Sequence, residues 1–271
     1  MSTGLSFRRS IKSIEQDEDQ AELIKIRNAF RISMGIRDNR GYGHIAGFHG
    51  VPGWYCWHHQ ASMRTTVRPR IFLQWHRAYL YWLELHLKDL TNDPTVTIPW
   101  WDWTREESEN RLPRSYELET VDNQPNPLYK FHINIPSAEL NQDTGRSPGQ
   151  IGPLPSKQQI DSILSISDFE DFEVELSNIH DYIHGWVGGT MANVGLASYD
   201  PIFFAHHCMI DRLWYLWQGR HGEGTGMEQM LDIPLAPFDL DVKDVLNIRR
   251  LGYEYADITT SVSVSAAEMG A

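Results

Sequence analysis

The chain is poor in cysteine and in basic side chains. Its 271 residues include two cysteines, Cys56 and Cys208, so no disulfide framework carries the fold, and nothing in the spacing pairs the two with each other. Lysine and arginine total 24 against 36 acidic residues, for a net charge of -12. The clustered cations that neutralise phosphates are lacking, which argues against nucleic acid and disfavours anionic partners generally. No apolar run approaches the ~18 residues of a membrane span. The start, MSTGLSFRRSIKSIEQDEDQ, contains Arg8-Arg9, but charged residues follow where an export signal has its apolar stretch. There is no Asn-x-Ser/Thr acceptor either. These absences lead to the expectation of a cytoplasmic protein with neither membrane nor nucleic-acid partner.

What is present suits an enzyme-sized core. With 41% apolar residues and 11% aromatics, a chain of this length can bury a single hydrophobic core. One domain over residues 1–255 is expected, followed by a small polar, flexible tail at 256–271. The pattern is mainly helical. A helix over about 13–34 opens on Ser13-Ile14-Glu15-Gln16, a capping-box pattern, and is expected to bury Leu23, Ile24, Ile26, Phe30 and Ile32. Residues 72–90 align Leu73, His76, Leu80, Leu83, Leu87 and Leu90 on one stripe. Further helices are expected at 168–185 and 201–218. The stretch from Thr104 to Lys157, dense in Pro, Asn, Gly and Ser, reads as long connecting loops.

Chemistry concentrates in the histidines, of which there are 12. In SNIHDYIHGWVGGTMANVGLASYDPIFFAHHCMIDRLWYL, residues 177–216, His180 and His184 are one helical turn apart and share a face, as a chelating pair requires. A third imidazole comes from a later helix, and there periodicity leaves two readings. Phe203, His207, Ile210 and Trp214 make one stripe; His206, Ile210, Leu213 and Trp217 make another. Neutral imidazole suits zinc, copper, iron and nickel, so the ligands alone do not choose the metal.

A second set lies upstream, in HIAGFHGVPGWYCWHH (44–59) and IFLQWHRAYLYWLE (71–84). The ordered series FHG-x-P, Cys-x-His, F-L-x-W-H-R-x-Y-L, His-x3-His, and D-P-x-F-x-x-H-H followed by D-R-L-W spans roughly residues 44–217. It resembles the type 3 copper family of tyrosinases, catechol oxidases and molluscan haemocyanins. The resemblance implies a four-helix bundle around two copper ions that react with dioxygen. His49, His58 and His76 would hold one copper, and His180, His184 and His207 the other. His49 is preferred to His44 because it alone sits in FHG-x-P, and His58 to His59 by the Cys-x-His spacing.

One departure stands out. Most tyrosinase-like chains place a ligand nine positions before the W-H-R histidine, and here that position is Val67. The segment 59–69 therefore reads as an inserted polar loop with Arg64, Arg68 and Arg70 near the site. Cys56 matches the cysteine that in many fungal and molluscan members is joined by a thioether to the histidine two residues on, here His58. Its alternatives are a free thiol or one that hands copper to the site.

The resemblance also proposes roles nearby. Glu175 matches the family glutamate that holds a water near the second copper, and Asp181 is a candidate base or a surface hydrogen-bonding group. Val194 falls at the gate position, and Gly185 where some bacterial members carry a substrate-binding arginine. Asp211 is placed to orient His207 or to form a salt bridge. Phe72 and Phe203 pack as support beside His76 and His207. IPWWDWT (98–104) resembles the segment crossing beneath the copper bundle, and Tyr253-Glu254-Tyr255 the tyrosine motif, anchored by Arg8 or Arg9. The few residues after that motif lead to the expectation of a site without a covering domain.

The implied activity is a tyrosinase or polyphenol oxidase, a monooxygenase acting on small monophenols, o-diphenols or o-aminophenols. The alternative is a haemocyanin-like dioxygen carrier, and a zinc or non-haem iron protein stands further off. A homo-oligomer and a separate copper-delivery or caddie protein are the expected protein partners.

Overall fold

The computed structural model describes residues 4–56 and 71–256. His58, His59, the 59–69 insertion and the tail beyond Ala256 lie outside the described residues, and with them the His58 half of the thioether.

Strand β1 (Ser6–Arg8) leads into helices α1 (Ile11–Gln16) and α2 (Ala21–Gly35). The single helix expected over 13–34 is thus two, and of its expected buried face Leu23, Ile26 and Phe30 are buried while Ile32 is half-buried and Ile24 exposed, because they fall off the stripe that faces the core. Ser13 does not cap a helix: its hydroxyl accepts from Arg9 Nη2 at 2.8 Å. Arg9 also grips Asp17 and Glu22. The chain turns around that guanidinium, and Gln20 adopts a left-handed φ of 49°.

Short helix α3 (Tyr42–Ala46) precedes the FHG-x-P turn. Helix α4 (Phe72–Thr91) buries Leu73, His76, Leu80, Leu83 and Leu87 on the predicted stripe, and stops where Asn92 takes up a left-handed conformation. That conformation is tolerated by asparagine better than by most residues.

The loop-rich stretch carries short turns and a hairpin of β2 (His132–Ile135) with β3 (Leu140–Asp143). Helix α5 (Lys157–Leu164) opens on a capping box made by Ser156 and Gln159. Helix α6 (Phe169–Val187) is capped by the Asp168 carboxylate, which accepts from Asp171 N, and it ends at Gly188, φ 69°. Helix α7 (Ile202–His221) follows Pro201 and ends at Gly222, φ 107°. Strand β4 (Tyr253–Tyr255) pairs in parallel with β1, Arg8 lying opposite Tyr255.

Helix α4 is the hub, packing on α2, α6 and α7, while α6 also packs on α7. These four helices form the bundle. Trp101 N donates to Ala205 O at 3.0 Å, so the IPWWDWT segment is tied to α7, with Trp100, Trp101 and Trp103 buried. None of the described helices is long and apolar enough to cross a membrane.

A buried ionic knot closes the bundle. Asp211 on α7 accepts from Arg77 Nε at 2.5 Å, Arg8 Nη1 at 3.3 Å, Tyr253 OH at 2.8 Å and Tyr255 OH at 2.5 Å. Arg8 also donates to Glu84 at 2.9 Å and lies over the Tyr253 ring at 3.7 Å. The tyrosine motif is therefore anchored by Arg8, while Arg9 faces the α1–α2 turn.

Candidate metal centre

Helix α6 projects His180 and His184 to one side, and α7 brings His207 against them. Nε2 of His180 lies 3.0 Å from Nε2 of His184 and 3.2 Å from Nε2 of His207. The opposite ring nitrogens are engaged elsewhere. His184 Nδ1 donates to Met191 O at 2.8 Å, and His180 Nδ1 pairs with Asp181 Oδ1 at 2.9 Å. Those partners assign the proton to Nδ1 and leave Nε2 a bare lone pair. Two lone pairs facing each other at 3.0 Å repel unless a cation stands between them. The donor set therefore fits a metal ion.

The second group comprises His49, Cys56 and His76, all buried, with donor atoms within 4.8 Å of one another. His76 Nδ1 donates to Phe72 O at 2.8 Å, the carbonyl one turn back on α4, and Nε2 faces Cys56 Sγ at 3.7 Å. His49 Nδ1 donates to Val194 O at 3.1 Å. In both rings Nδ1 is thus engaged by a backbone carbonyl, which directs Nε2 toward the group. The two groups adjoin: the His76 and His207 rings stack at 4.3 Å with 17° between planes. Phe72 lies 4.8 Å from both His76 and His180. Phe203 lies 4.0 Å from His207 and 4.9 Å from His49. Each phenylalanine thus touches both groups and keeps the centre apolar.

Burial keeps His184 and His207 neutral. It pulls the His184 pKa down to about 4, against the opposing hydrogen bond to Met191 O. Burial, with neighbouring rings adding to it, holds His207 well below the usual histidine value. A neutral ring is the form that binds metal.

Periodicity left His206 and His207 both open, and the structure buries both beside His180. The His206 ring stacks 5.2 Å from His180 and its nitrogens fall in the same donor group. Both are buried without a hydrogen-bond partner, whereas His207 Nε2 meets His180 directly.

Other residues fall where sequence did not place them. Glu175 is exposed on α6, and the buried carboxylate of that helix is Glu173, whose Oε1 accepts from Phe72 N at 3.1 Å. The reason is helical phase. Glu173 precedes His180 by seven residues, two turns, and so shares its face; Glu175 precedes it by five. That heptad spacing was the readable signal. Asp211 does not orient His207, since its carboxylate is engaged by Arg77, Arg8 and the two tyrosines, and His207 Nδ1 has no hydrogen-bond partner. Asp181, with a 70% exposed side chain, holds His180. Gly185 is covered by Ile151, whose Cδ1 would stand 3.1 Å from an added Cβ. Val194 is 48% exposed at the rim, and the role of its carbonyl toward His49 had no sequence signal. Cys56 and Cys208 are both free of disulfides, and Cys208 is buried on α7 beside Ile98 O.

A helical bundle bearing two adjoining groups of buried imidazoles, whose nitrogens converge within each group, fits a dinuclear metal protein. Residues 39–220 match the family model described as the common central domain of tyrosinase, and the chain belongs to that family, the type 3 copper proteins. The family binds two copper ions with dioxygen, and the two histidine groups fit such a dinuclear site.

Among curated relatives, haemocyanin G-type, units Oda to Odg, of Enteroctopus dofleini is 31% identical over 239 residues, 80% of this chain and 8% of the relative. The haemocyanin beta-C chain unit G of Helix pomatia is 29% identical over 284 residues, covering 94% of this chain and 67% of the relative. Of the Enteroctopus dofleini A-type haemocyanin, units Ode to Odg, the chain spans 22%. Among solved structures, a functional unit from octopus haemocyanin superposes with TM-score 0.74 at 28% identity, covering 93% of this chain and 68% of that one. The tyrosinase from Burkholderia thailandensis gives TM-score 0.76 at 20% identity, covering 97% and 76%; at that identity the likeness is one of fold.

Proposed function

We propose that the chain is a copper-dependent phenol oxidase that uses dioxygen to oxidise o-diphenols to o-quinones and to hydroxylate monophenols. The observation that carries this reading is the exposed rim beside the centre: Val194, whose carbonyl holds the His49 ring, is itself 48% exposed. Among the described residues, a side chain as small as valine leaves a phenol ring room to approach there.

Copper, when bound to His49, His76, His180, His184 and His207, with His58 as the further expected ligand, supplies the redox chemistry with dioxygen. The residues do the rest. Phe72 and Phe203 exclude water from between the two groups. Asp181 fixes the His180 ring through Nδ1. A phenol, with pKa about 10, must lose its proton near neutral pH. In this reading Glu173, whose Oε1 accepts from Phe72 N, takes it up, in place of the Glu175 that the resemblance implied near the second copper.

Oxygen consumption by copper-loaded protein tests the reading, with a 4-substituted phenol and catechol compared against a metal-free control. Turnover of both supports it. Turnover of catechol alone narrows it to a diphenol oxidase. Glu173→Gln should lower phenol turnover by about 10²-fold or more, the scale of general base catalysis, while Glu175→Gln should leave it unchanged. The haemocyanin relatives favour a second reading, a dioxygen-binding protein. Reversible oxygen binding without turnover of either substrate would establish it instead.

A further inference from the structure

We propose that the junction of α1, α2 and the segment 114–121 is a second ligand site, which binds a small organic carboxylate between Arg27 and Arg114. A cavity of about 320 Å³ opens there, within the range of small-molecule sites. Its charged lining is Arg27, Arg114 and Glu15, and its apolar lining is Leu23, Leu118 and Val121. None of these residues belongs to either histidine group.

The first support is the state of Arg27. It follows Leu23 by one turn of α2, so the two share a face, and it is only 6% exposed. Its Nε is buried without a hydrogen-bond partner, and its guanidinium makes no ion pair among the described residues. Arg8 and Arg77, which are also buried, are each held by a carboxylate. Burial pulls the Arg27 pKa below the usual 12.5, outweighing the attraction of Asp122 and Glu15. Arginine nevertheless keeps its charge at neutral pH. A buried charge of this kind is costly until an oxyanion meets it.

The second support is that the walls are fixed by contacts in which Arg27 takes no part. Glu15 Oε1 accepts from Ser115 N at 2.6 Å, which ties α1 to the short helix Arg114–Glu117. Asn126 Nδ2 donates to Ser115 O at 2.8 Å and to Leu118 O at 2.7 Å. Arg9, gripping Asp17 and Glu22, sets the α1–α2 turn, where Gln20 also lines the cavity. A site formed before its ligand arrives spends little affinity on ordering itself.

The charges select the ligand. Two guanidinium groups against the Glu15 carboxylate leave the lining with a net of one positive charge. Asp122 and Arg31, the nearby charges outside the lining, act on Arg27 in opposite directions. A monoanion completes this balance better than a phosphate dianion, and the guanidinium fork matches a carboxylate in shape. Leu23, Leu118 and Val121 supply apolar surface for a short hydrocarbon body. The net charge of -12 disfavours anions over the surface at large; within this cavity the local balance is reversed.

The test uses the copper-loaded protein and hexanoate, with hexanamide as the uncharged analogue and inorganic phosphate as the dianion. Calorimetry and thermal melting follow binding. Hexanoate is expected to bind saturably and to raise the melting temperature, as a ligand of the folded state does. Hexanamide and phosphate at the same concentrations should do neither. Arg27→Gln should weaken hexanoate binding by about 10-fold or more, the scale of a charge-assisted hydrogen bond, while the melting temperature without ligand holds or rises. Arg114→Glu alters an exposed side chain, so the fold survives it, and it should weaken binding by about 3-fold or more. Copper content should stay unchanged in both variants. A carboxylate can also approach the metal, but that binding would be indifferent to both substitutions. Hexanoate affinity unaltered by Arg27→Gln and Arg114→Glu therefore overturns the site, and if Arg27→Gln fails to fold, Arg114→Glu decides alone. Absence of hexanoate binding to the wild-type protein overturns it as well. Binding of phosphate in place of hexanoate, weakened by the same substitutions, overturns the carboxylate assignment.

Discussion

Nε2 of His180 stands 3.0 Å from Nε2 of His184, and both rings direct their Nδ1 protons away, to Asp181 and to Met191 O. The pair is an electron-rich gap built for a cation, since each outward hydrogen bond fixes both tautomer and orientation.

Copper loading should therefore reach two ions per chain, and His184→Ala should reduce it to one. Removing the metal should lower the melting temperature, because an ion bound only by the folded state stabilises it. Metal analysis and differential scanning calorimetry check both outcomes. Two ions per chain in His184→Ala would falsify the assignment of the second group.

The neighbouring histidines of α7 should respond in opposite ways. His207→Phe removes a convergent nitrogen and should cost one copper per chain. His206→Phe replaces a ring whose two nitrogens are buried without hydrogen bonds, so stability should change by less than about 1 kcal/mol or rise. Copper content should stay at two. Urea unfolding and metal analysis of the two variants decide it.

Asp181→Ala should leave global stability nearly unchanged, since the carboxylate is largely in water. It should still weaken copper binding at the second group by about 10- to 100-fold, the usual effect of removing a partner that orients a ligand imidazole. Competition with a chelator measures this. An unaltered affinity would show that the packing of Phe72 alone orients the His180 ring.

The knot around Asp211 predicts how the fold meets acid. Burial pushes the Asp211 carboxyl up, but Arg77 and Arg8 outweigh it and hold it below its usual 3.8. Burial likewise opposes Arg8 and Lys88 at Glu84, which ends below 4.5. A carboxylate with a depressed folded value favours folding above its unfolded pKa, and that contribution is lost as pH falls through the folded one. The stability due to these two groups should be intact at pH 6 and decline below about pH 4.5. Asp211→Asn should cost about 3–5 kcal/mol at neutral pH, because it leaves buried guanidinium charge uncompensated. It should also flatten the acid limb of an unfolding-versus-pH curve.

Much of this protein was legible from local pattern. The α4 stripe, the one-turn pair His180 and His184, and the helices near 168–185 and 201–218 follow from periodicity, which acts within a few residues and needs no tertiary context. The order of motifs, by resemblance, pointed to the copper family. Phase errors entered where spacing was read loosely: Glu175 lies off the His180 face and Glu173 on it, a matter of two residues and roughly 200° around the helix. The expected helix over 13–34 broke because the contacts of Arg9 with Asp17 and Glu22 overrode propensity.

The sequence by itself determined the donors, their pairing along helices and the neutrality that an apolar setting imposes. The tertiary structure alone decided which groups meet. Val194 O reaches His49 across 145 residues, Arg8 reaches Asp211 across 203, and the indole of Trp54 comes to rest on Gly195. These contacts depend on how separate elements pack, and packing selects partners by shape and by the cost of leaving a buried polar group alone. Neither quantity exists until the chain has closed around its core.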